Sequence, residues 1–384
     1  MIRIPLFIGI SMMICAVPLN AMQHGAHAGD DAQTVSDDAP VPEVQMALAK
    51  ANNQFGVALY RELSRTDDSN LFLAPYSVSS ALAMTWAGAR GETSSEMASV
   101  LGFTPEAFNP HDGFSGLNQS LEDQEHVIMN VANSLWPAKQ FTLDTAYQDL
   151  MKQYYGVDIT ALDYAGETES SRQRINTWVE TETREKIKDL ITPGALDPTT
   201  VLVLVNAIYF KGDWMAKFDP DRTVDGVFHC SDGNEKTVPM MRQKKEFKYT
   251  EIEDLKILEM PYAGDRLAMT VILPQDMNTF KAVEQALTPG KLDRWLSQMR
   301  TVEVDVTLPK FKMIWGATDI TNALKSMGMV RAFSGRADFT GITPDGGIHI
   351  DMVLHKTYIE VNEEGSEAAG ATAVILRKTA MMPR

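Results

Sequence analysis

Apolar positions along the chain follow two periods. Leu48, Phe55, Leu59 and Leu63 recur at helical spacing, which predicts an amphipathic helix over 43–64. After Pro75, the Ala-rich stretch Ser77 to Thr85 predicts a second helix. Ile175, Trp178, Val179, Ile187, Leu190 and Ile191 mark a third, closed by Pro193-Gly194. The rhythm then changes. Val201 to Phe210 is almost wholly apolar and rich in β-branched residues, as expected of a strand buried on both faces. Asn206 lies in its middle, and a buried amide without a partner costs roughly 1–3 kcal/mol, so a partner is expected. Leu267 to Leu273, Val302 to Leu308 and Ile348 to Val361 are further predicted strands. In the second of these, Val302, Val304 and Val306 alternate with Glu303, Asp305 and Thr307, the pattern of a half-buried strand. Helices come early and strands late, which predicts an α+β fold. No linker or repeat interrupts the chain after Glu43, so one domain over 43–384 is expected.

The N-terminal segment has a different character. Residues 1–21 carry one charge, Arg3, then a mostly apolar run and a cleavage-like Leu19-Asn20-Ala21, and they read as a signal peptide. They predict a secreted protein, extracellular or periplasmic. Residues 22–42 are rich in Gly, Ala, Asp, His and Pro and predict a disordered acidic leader. Over the 384 residues, 44% are apolar and 22% charged, which is globular composition. Asp and Glu number 51 against 35 Lys and Arg, a formal charge of −16, so nucleic acid, heparin and anionic membranes are poor partners. Loss of residues 1–21 removes Cys15 and leaves Cys230 alone, which excludes an internal disulfide in the mature chain.

Catalytic motifs are missing. No G-x-S-x-G, S-x-x-K, H-E-x-x-H, C-x-x-C, Walker or G-x-G-x-x-G element falls in a matching structural context. Neither a catalytic residue, a metal site nor a cofactor is expected. Adjacent carboxylates such as Glu363-Glu364 would point to opposite faces of a strand, so they read as solvated surface rather than as an acid/base pair.

Several short stretches carry a family signature in order. They are Asn70-Leu71-Phe72-Leu73-Ala74-Pro75-Tyr76-Ser77, Ala81-Leu82-Ala83-Met84, Gly88-Ala89-Arg90-Gly91-Glu92-Thr93, Asn176-Thr177-Trp178-Val179-Glu180 and Lys186-Ile187-Lys188-Asp189-Leu190-Ile191. Asn206-Ala207-Ile208-Tyr209-Phe210-Lys211-Gly212-Asp213-Trp214, Leu308-Pro309-Lys310-Phe311 and Asp338-Phe339-Thr340-Gly341 complete the set. With these the chain resembles the serpins over nearly all of 45–384, and with no disulfide it looks bacterial in type. The resemblance implies three β-sheets, about nine helices and an exposed reactive loop over 363–384. It also implies further C-terminal strands that this chain lacks, as in a cleaved or truncated molecule. A serpin of this kind is a suicide substrate. A serine peptidase, or a papain-like cysteine peptidase, cuts the loop, the loop inserts into the largest sheet, and the acyl-enzyme is trapped.

The hinge can also be read physically. It comprises Glu363, Glu364, Gly365, Ser366, Glu367, Ala368, Ala369, Gly370, Ala371 and Thr372. With period two, Ser366, Ala368, Gly370, Thr372, Val374 and Leu376 share one face, all small or apolar, while Glu367 falls on the other. A strand that slips between two others needs such a face. The resemblance further implies a shutter of Asn206, His355 and Ser77, where the sheet opens, and a breach residue, Trp214, where insertion starts. Ala74 stands where the family usually has serine, which predicts one shutter hydrogen bond fewer. In the family the attacked bond usually follows the residue fourteen positions after the hinge glycine, so the resemblance implies a reactive bond at Thr379-Ala380, which suits elastase-like or subtilisin-like peptidases. Lys378 would suit a trypsin-like one, and Arg384 is a further alternative. The expected partners are these peptidases and, in a cleaved molecule, its own C-terminal fragment; the inhibitor itself is expected to be a monomer. A non-inhibitory binding protein or chaperone is the alternative, but such relatives typically carry bulky or charged hinge residues.

Overall fold

The computed structural model describes residues 42–66, 69–122, 126–230, 233–276 and 279–379. Residues 1–21, most of the leader, Ala380 and Arg384 lie outside the described residues. Four helices open the chain: α1 (Glu43–Leu63), α2 (Pro75–Ala87), α3 (Gly91–Leu101) and α4 (Pro110–Glu122). Then come β1 (Val127–Pro137), α5 (Thr145–Tyr155), β2 (Asp158–Ile159), α6 (Thr168–Glu182) and β3 (Thr200–Asp213). The next strands are β4 (Val224–His229), β5 (Glu235–Ile252), β6 (Leu255–Pro261) and β7 (Ala268–Pro274). The rest are α7 (Phe280–Ala286), α8 (Pro289–Ser297), β8 (Arg300–Pro309), β9 (Phe311–Asp319), α9 (Thr321–Ser326), β10 (Ile348–Val361) and β11 (Gly365–Lys378).

The predicted helices and strands are present, with one difference. The third helix ends at Glu182, not at Pro193. Arg184, Glu185 and Asp189 take left-handed backbone angles, so the chain turns there. Ile187, Leu190 and Ile191 are nevertheless fully buried. Asn176 holds this segment down: its Oδ1 accepts from the Ile191 N–H at 2.9 Å and its Nδ2 donates to the Ile191 carbonyl at 2.9 Å. The apolar period runs on past the helix because the segment after it still covers the sheet. α2 starts at Pro75, where a missing N–H costs nothing, and residues 75–85 are buried, three serines included.

Hydrogen bonds join the described strands into two sheets. The larger has six strands in the order β2-β1-β3-β11-β10-β9. The other links β4-β5-β6-β7, with β8 also on β5. The 18-residue β5 pairs β4 in its first part and β6 in its last, so this second sheet runs continuously through one long strand. The central strands β3 and β11 of the large sheet are buried on both faces. Ala368, Val374 and Leu376 of β11 pack into the core beneath α1 and α2, and Ala369, Ala371, Ala373 and Ile375 into the core beneath α6.

β11 is antiparallel to β3 on one side and to β10 on the other. β3 and β10 are therefore parallel to each other, and without β11 they would be a parallel pair. Residues 365–378, expected as part of an exposed loop, are a central strand in this structure. Their ladder N–H and C=O groups have partners on both sides, which an exposed loop would have to find in water.

Candidate functional site

The site lies along β11 and the strands it separates. At its start, Asn362 to Glu364 turn β10 back as β11. Asn362 Oδ1 accepts from the N–H groups of Glu364 (3.0 Å) and Gly365 (3.2 Å), an Asx turn that a short polar side chain closes locally. Trp214, just past β3, grips this turn. Its N–H donates to the Glu364 carbonyl at 2.8 Å and its indole Nε1 to the Asn362 carbonyl at 3.0 Å. The indole stacks on Tyr262, with ring centroids 4.8 Å apart, and the Tyr262 hydroxyl bonds Ser366 Oγ. Gly365 lies against Gly212, and a Cβ at Gly365 would collide with the Gly212 carbonyl. At Gly212 a Cβ would meet the Phe210 and Tyr262 rings at 2.8 and 2.9 Å. Close backbone approach explains Gly365, and the two rings packed against the strand explain Gly212.

The two adjacent carboxylates of the turn are not alike. Glu364 is exposed, with Lys217 Nζ at 2.5 Å. Glu363 is only 8% exposed, which corrects the expectation of a solvated surface group. Burial would raise its carboxyl, but Lys310 Nζ at 2.8 Å and Thr223 Oγ1 at 2.9 Å hold it below the usual range. Glu367 behaves likewise on the α6 face: desolvation opposes ionisation, and Lys186 Nζ (2.8 Å) and the Tyr209 hydroxyl (2.6 Å) outweigh it.

Halfway along β11 a row of polar residues crosses the sheet. Asn133, Asn206, Thr372, His355 and Thr318 are in register on β1, β3, β11, β10 and β9. Asn133, Asn206, Thr372 and His355 are buried. Asn206 Nδ2 donates to Asn133 Oδ1 at 2.9 Å, and Asn133 Nδ2 donates to the Tyr155 carbonyl. Thr372 Oγ1 is shared between His355 Nδ1 (2.8 Å) and Ser77 Oγ (3.0 Å) of α2. His355 Nε2 accepts the Ala74 N–H at 3.1 Å. An acceptor at Nε2 must be unprotonated, so the proton of the neutral ring is on Nδ1, donated toward Thr372 Oγ1 and the Ala371 carbonyl. Burial pushes this imidazole down to about 4, so it is neutral at pH 7.

Ala74 thus serves His355 through its backbone. Gly370 makes room for the Ala74 methyl group, since a Cβ at Gly370 would sit 2.7 Å from Ala74 Cβ. Beside them is a cavity of about 10 Å³ lined by Phe72, Ala74, Tyr76, Ala368 and Gly370, at the lower limit of what holds one water.

At the far end, the Lys378 N–H reaches the Thr199 carbonyl at 3.3 Å and the Thr379 N–H reaches the Gly347 carbonyl at 2.7 Å. Gly365 and Thr379 therefore lie at opposite ends of the sheet. The structure sets Asn206 and His355 in one row with Thr372, whose part in it depends on strand register, and Ser77 of α2 meets that row at Thr372 Oγ1. It keeps Trp214 apart, at the turn. Tyr262 and Asn133 carry no sequence signal, since their partners are distant in the chain. Among the described residues no cluster of His, Cys, Asp or Glu could hold a metal ion, and no helix is long and apolar enough to cross a membrane.

Comparison with known proteins agrees with this geometry. The family model described as "Serpin (serine protease inhibitor)" matches residues 50–384. The chain is 38% identical over 349 residues to Serpin B3 of Homo sapiens, covering 86% of this chain and 89% of that protein. It is 37% identical over 347 residues to the leukocyte elastase inhibitor of Homo sapiens, covering 88% and 91%. Among solved structures, the loop-inserted form of a cleaved ovalbumin mutant superposes with a TM-score of 0.82 at 27% identity, covering 86% of this chain and 92% of that one. These relatives correct two expectations. They are animal proteins, not bacterial ones. The expected secreted, extracellular or periplasmic location is overturned as well, because the similar proteins include Serpin B3, Serpin B4 and Serpin B6.

Proposed function

The chain belongs to the serpin family of protease inhibitors, which are not enzymes, and from that premise we propose that it is a suicide-substrate inhibitor of serine endopeptidases. One observation carries the reading. The segment expected as bait is accommodated as a central strand, antiparallel to both neighbours, with its small residues buried on both faces. A chain whose hinge fits the sheet this closely has somewhere for a cut loop to go.

The chemistry follows. The peptidase serine Oγ attacks the carbonyl carbon of Thr379, an ester forms, and the amine of Ala380 leaves with a proton. Hydrolysis of that ester by water would complete ordinary cleavage. Strand insertion competes with it. Fourteen inserted residues at about 3.3 Å each carry the tethered enzyme roughly 45 Å along the sheet, and pulling its active site out of shape stalls deacylation. The hinge is 363–372, the shutter is Asn206, His355 and Ser77, and Trp214 marks the breach. Thr379-Ala380 is the reactive bond, and cutting after Lys378 or Arg384 would serve other peptidases. A Thr-Ala bond suits an elastase-like pocket, in keeping with the relative named leukocyte elastase inhibitor. Trypsin-like, subtilisin-like and papain-like enzymes are further targets.

Incubation with an elastase-like and with a trypsin-like serine peptidase tests this. A covalent complex that survives denaturing gel electrophoresis is expected, with Thr379→Arg shifting preference toward the trypsin-like enzyme. Complete turnover of the loop with no trapped complex from any peptidase would overturn the inhibitor reading and favour a binding or chaperone role.

A further inference from the structure

The far end of β11 holds a charged socket. Arg377 Nη1 lies 3.2 Å from Asp197 Oδ2 and 3.3 Å from Asp351 Oδ2, and Nη2 donates to the Ala195 carbonyl at 3.0 Å. All three side chains are partly buried. The two carboxylates come from the segments that flank β11 on either side: Asp197 just before β3, and Asp351 on β10. Both neighbouring ladders slip register here. β10 bulges between Ile350 and Met352, which leaves Asp351 as the extra residue, and the pairing with β3 shifts between Leu376 and Arg377. A bulge re-aims a side chain, and this one turns Asp351 to the guanidinium. Asp197 is held independently: its Oδ1 accepts from the Thr199 N–H (2.8 Å) and hydroxyl (2.6 Å), which leaves Oδ2 for the arginine.

Without β11, Asp197 and Asp351 would lose this arginine. With β11 fully seated, the single positive charge of Arg377 bridges both. The gain comes only when the last residues arrive, because Arg377 is the penultimate residue of the strand. We propose that Arg377 is a terminal latch: its docking between Asp197 and Asp351 holds the end of the inserted strand in place and sets how long the peptidase stays trapped. This rests on reading β11 as the inserted bait. Arg377 is a positioning residue here; it takes no part in bond making or breaking.

Because Arg377 also lies two residues before Thr379, changing it alters recognition of the bait. The test therefore centres on the aspartates. Asp197→Asn can keep the Oδ1 that accepts from Thr199 while an amide NH2 replaces the Oδ2 that meets the arginine, so both the charge and the acceptor are lost there. The variants D197N/D351N, R377M and all three together are compared with the unmodified chain, each uncut and after a cut in the loop. D197N/D351N is expected to be attacked at an unchanged rate. Its trapped complex should release active peptidase about tenfold faster, a difference of about 1.4 kcal/mol. Its cut form should melt lower while its uncut form does not, and adding R377M should lower the cut form no further. Unchanged release and melting, equal loss in cut and uncut forms, or additive losses would overturn the latch. If no variant traps a peptidase, the inhibitor reading fails, and the melting of the cut forms still decides the latch.

Discussion

His355 shows how one buried side chain couples the sheet to proton concentration. Its folded value of about 4 lies below the ordinary 6.5, because burial disfavours the charged ring. Between those values the unfolded chain binds a proton that the folded chain does not. The stability from this group is therefore complete above about pH 6.5 and is lost as pH falls through 4, roughly 3 kcal/mol in all. His111, also pushed down to about 4 by burial, acts with the same sign. The thermal midpoint should fall from pH 7 to pH 4 less steeply in His355→Gln than in the unmodified protein; equal slopes would show that His355 does not titrate in this way. Ala368 supplies a second prediction. It is 2% exposed at the edge of the small cavity, and none of the residues lining that cavity is cationic. Ala368→Asp would bury an unpaired carboxylate at a cost of several kcal/mol, about 3–5. The loop should still be cut by the peptidase but no longer hold it, which a ratio of cleaved inhibitor to trapped complex measures.

The decisive element is the β10–β11 hairpin. Its turn depends on Asn362, so Asn362→Ala should cost about 1 kcal/mol in the inserted state and raise the fraction of inhibitor consumed without trapping, whereas Asn362→Asp keeps the acceptor and should not. How far such elements can be read from sequence differs among them. β3 and β10 are legible because their residues bury both faces, and β8 because Val302, Val304 and Val306 alternate with polar neighbours. The pattern overruns α6 because Ile187, Leu190 and Ile191 continue the apolar period through a segment that Asn176 pins to the sheet. β11 alone reads as a helix or linker, since Ala and Gly say little about period; only the resemblance and its place after a strand make it a strand. The row from Asn133 to Thr318 joins strands far apart in sequence, and the socket of Arg377 depends on two register slips, so neither has a local signal. Glu363 reads as surface in the sequence because its partners, Lys310 and Thr223, lie far away along the chain.

At the scale of the whole molecule, seating β11 exchanges one parallel strand pair for two antiparallel ones, which are somewhat the stronger per residue. Residues 366–377 are the amides to watch. In the inserted form they should exchange hydrogen as slowly as the core of β3, and in a form with the loop expelled they should exchange freely, a difference that mass spectrometry of peptides reads directly. Equal protection in both forms would mean that the segment does not move. The polar row across the sheet has a consequence for accuracy. Shifted by one residue, β11 would set Ala371 or Ala373 against His355 and Ser77; shifted by two, Gly370 or Val374. None of these side chains offers an oxygen, so His355 Nδ1 would keep only a backbone partner and Ser77 Oγ would lose Thr372 altogether. The row is an indexing mark: it lets the sheet accept its last strand in one alignment and penalises the neighbouring ones.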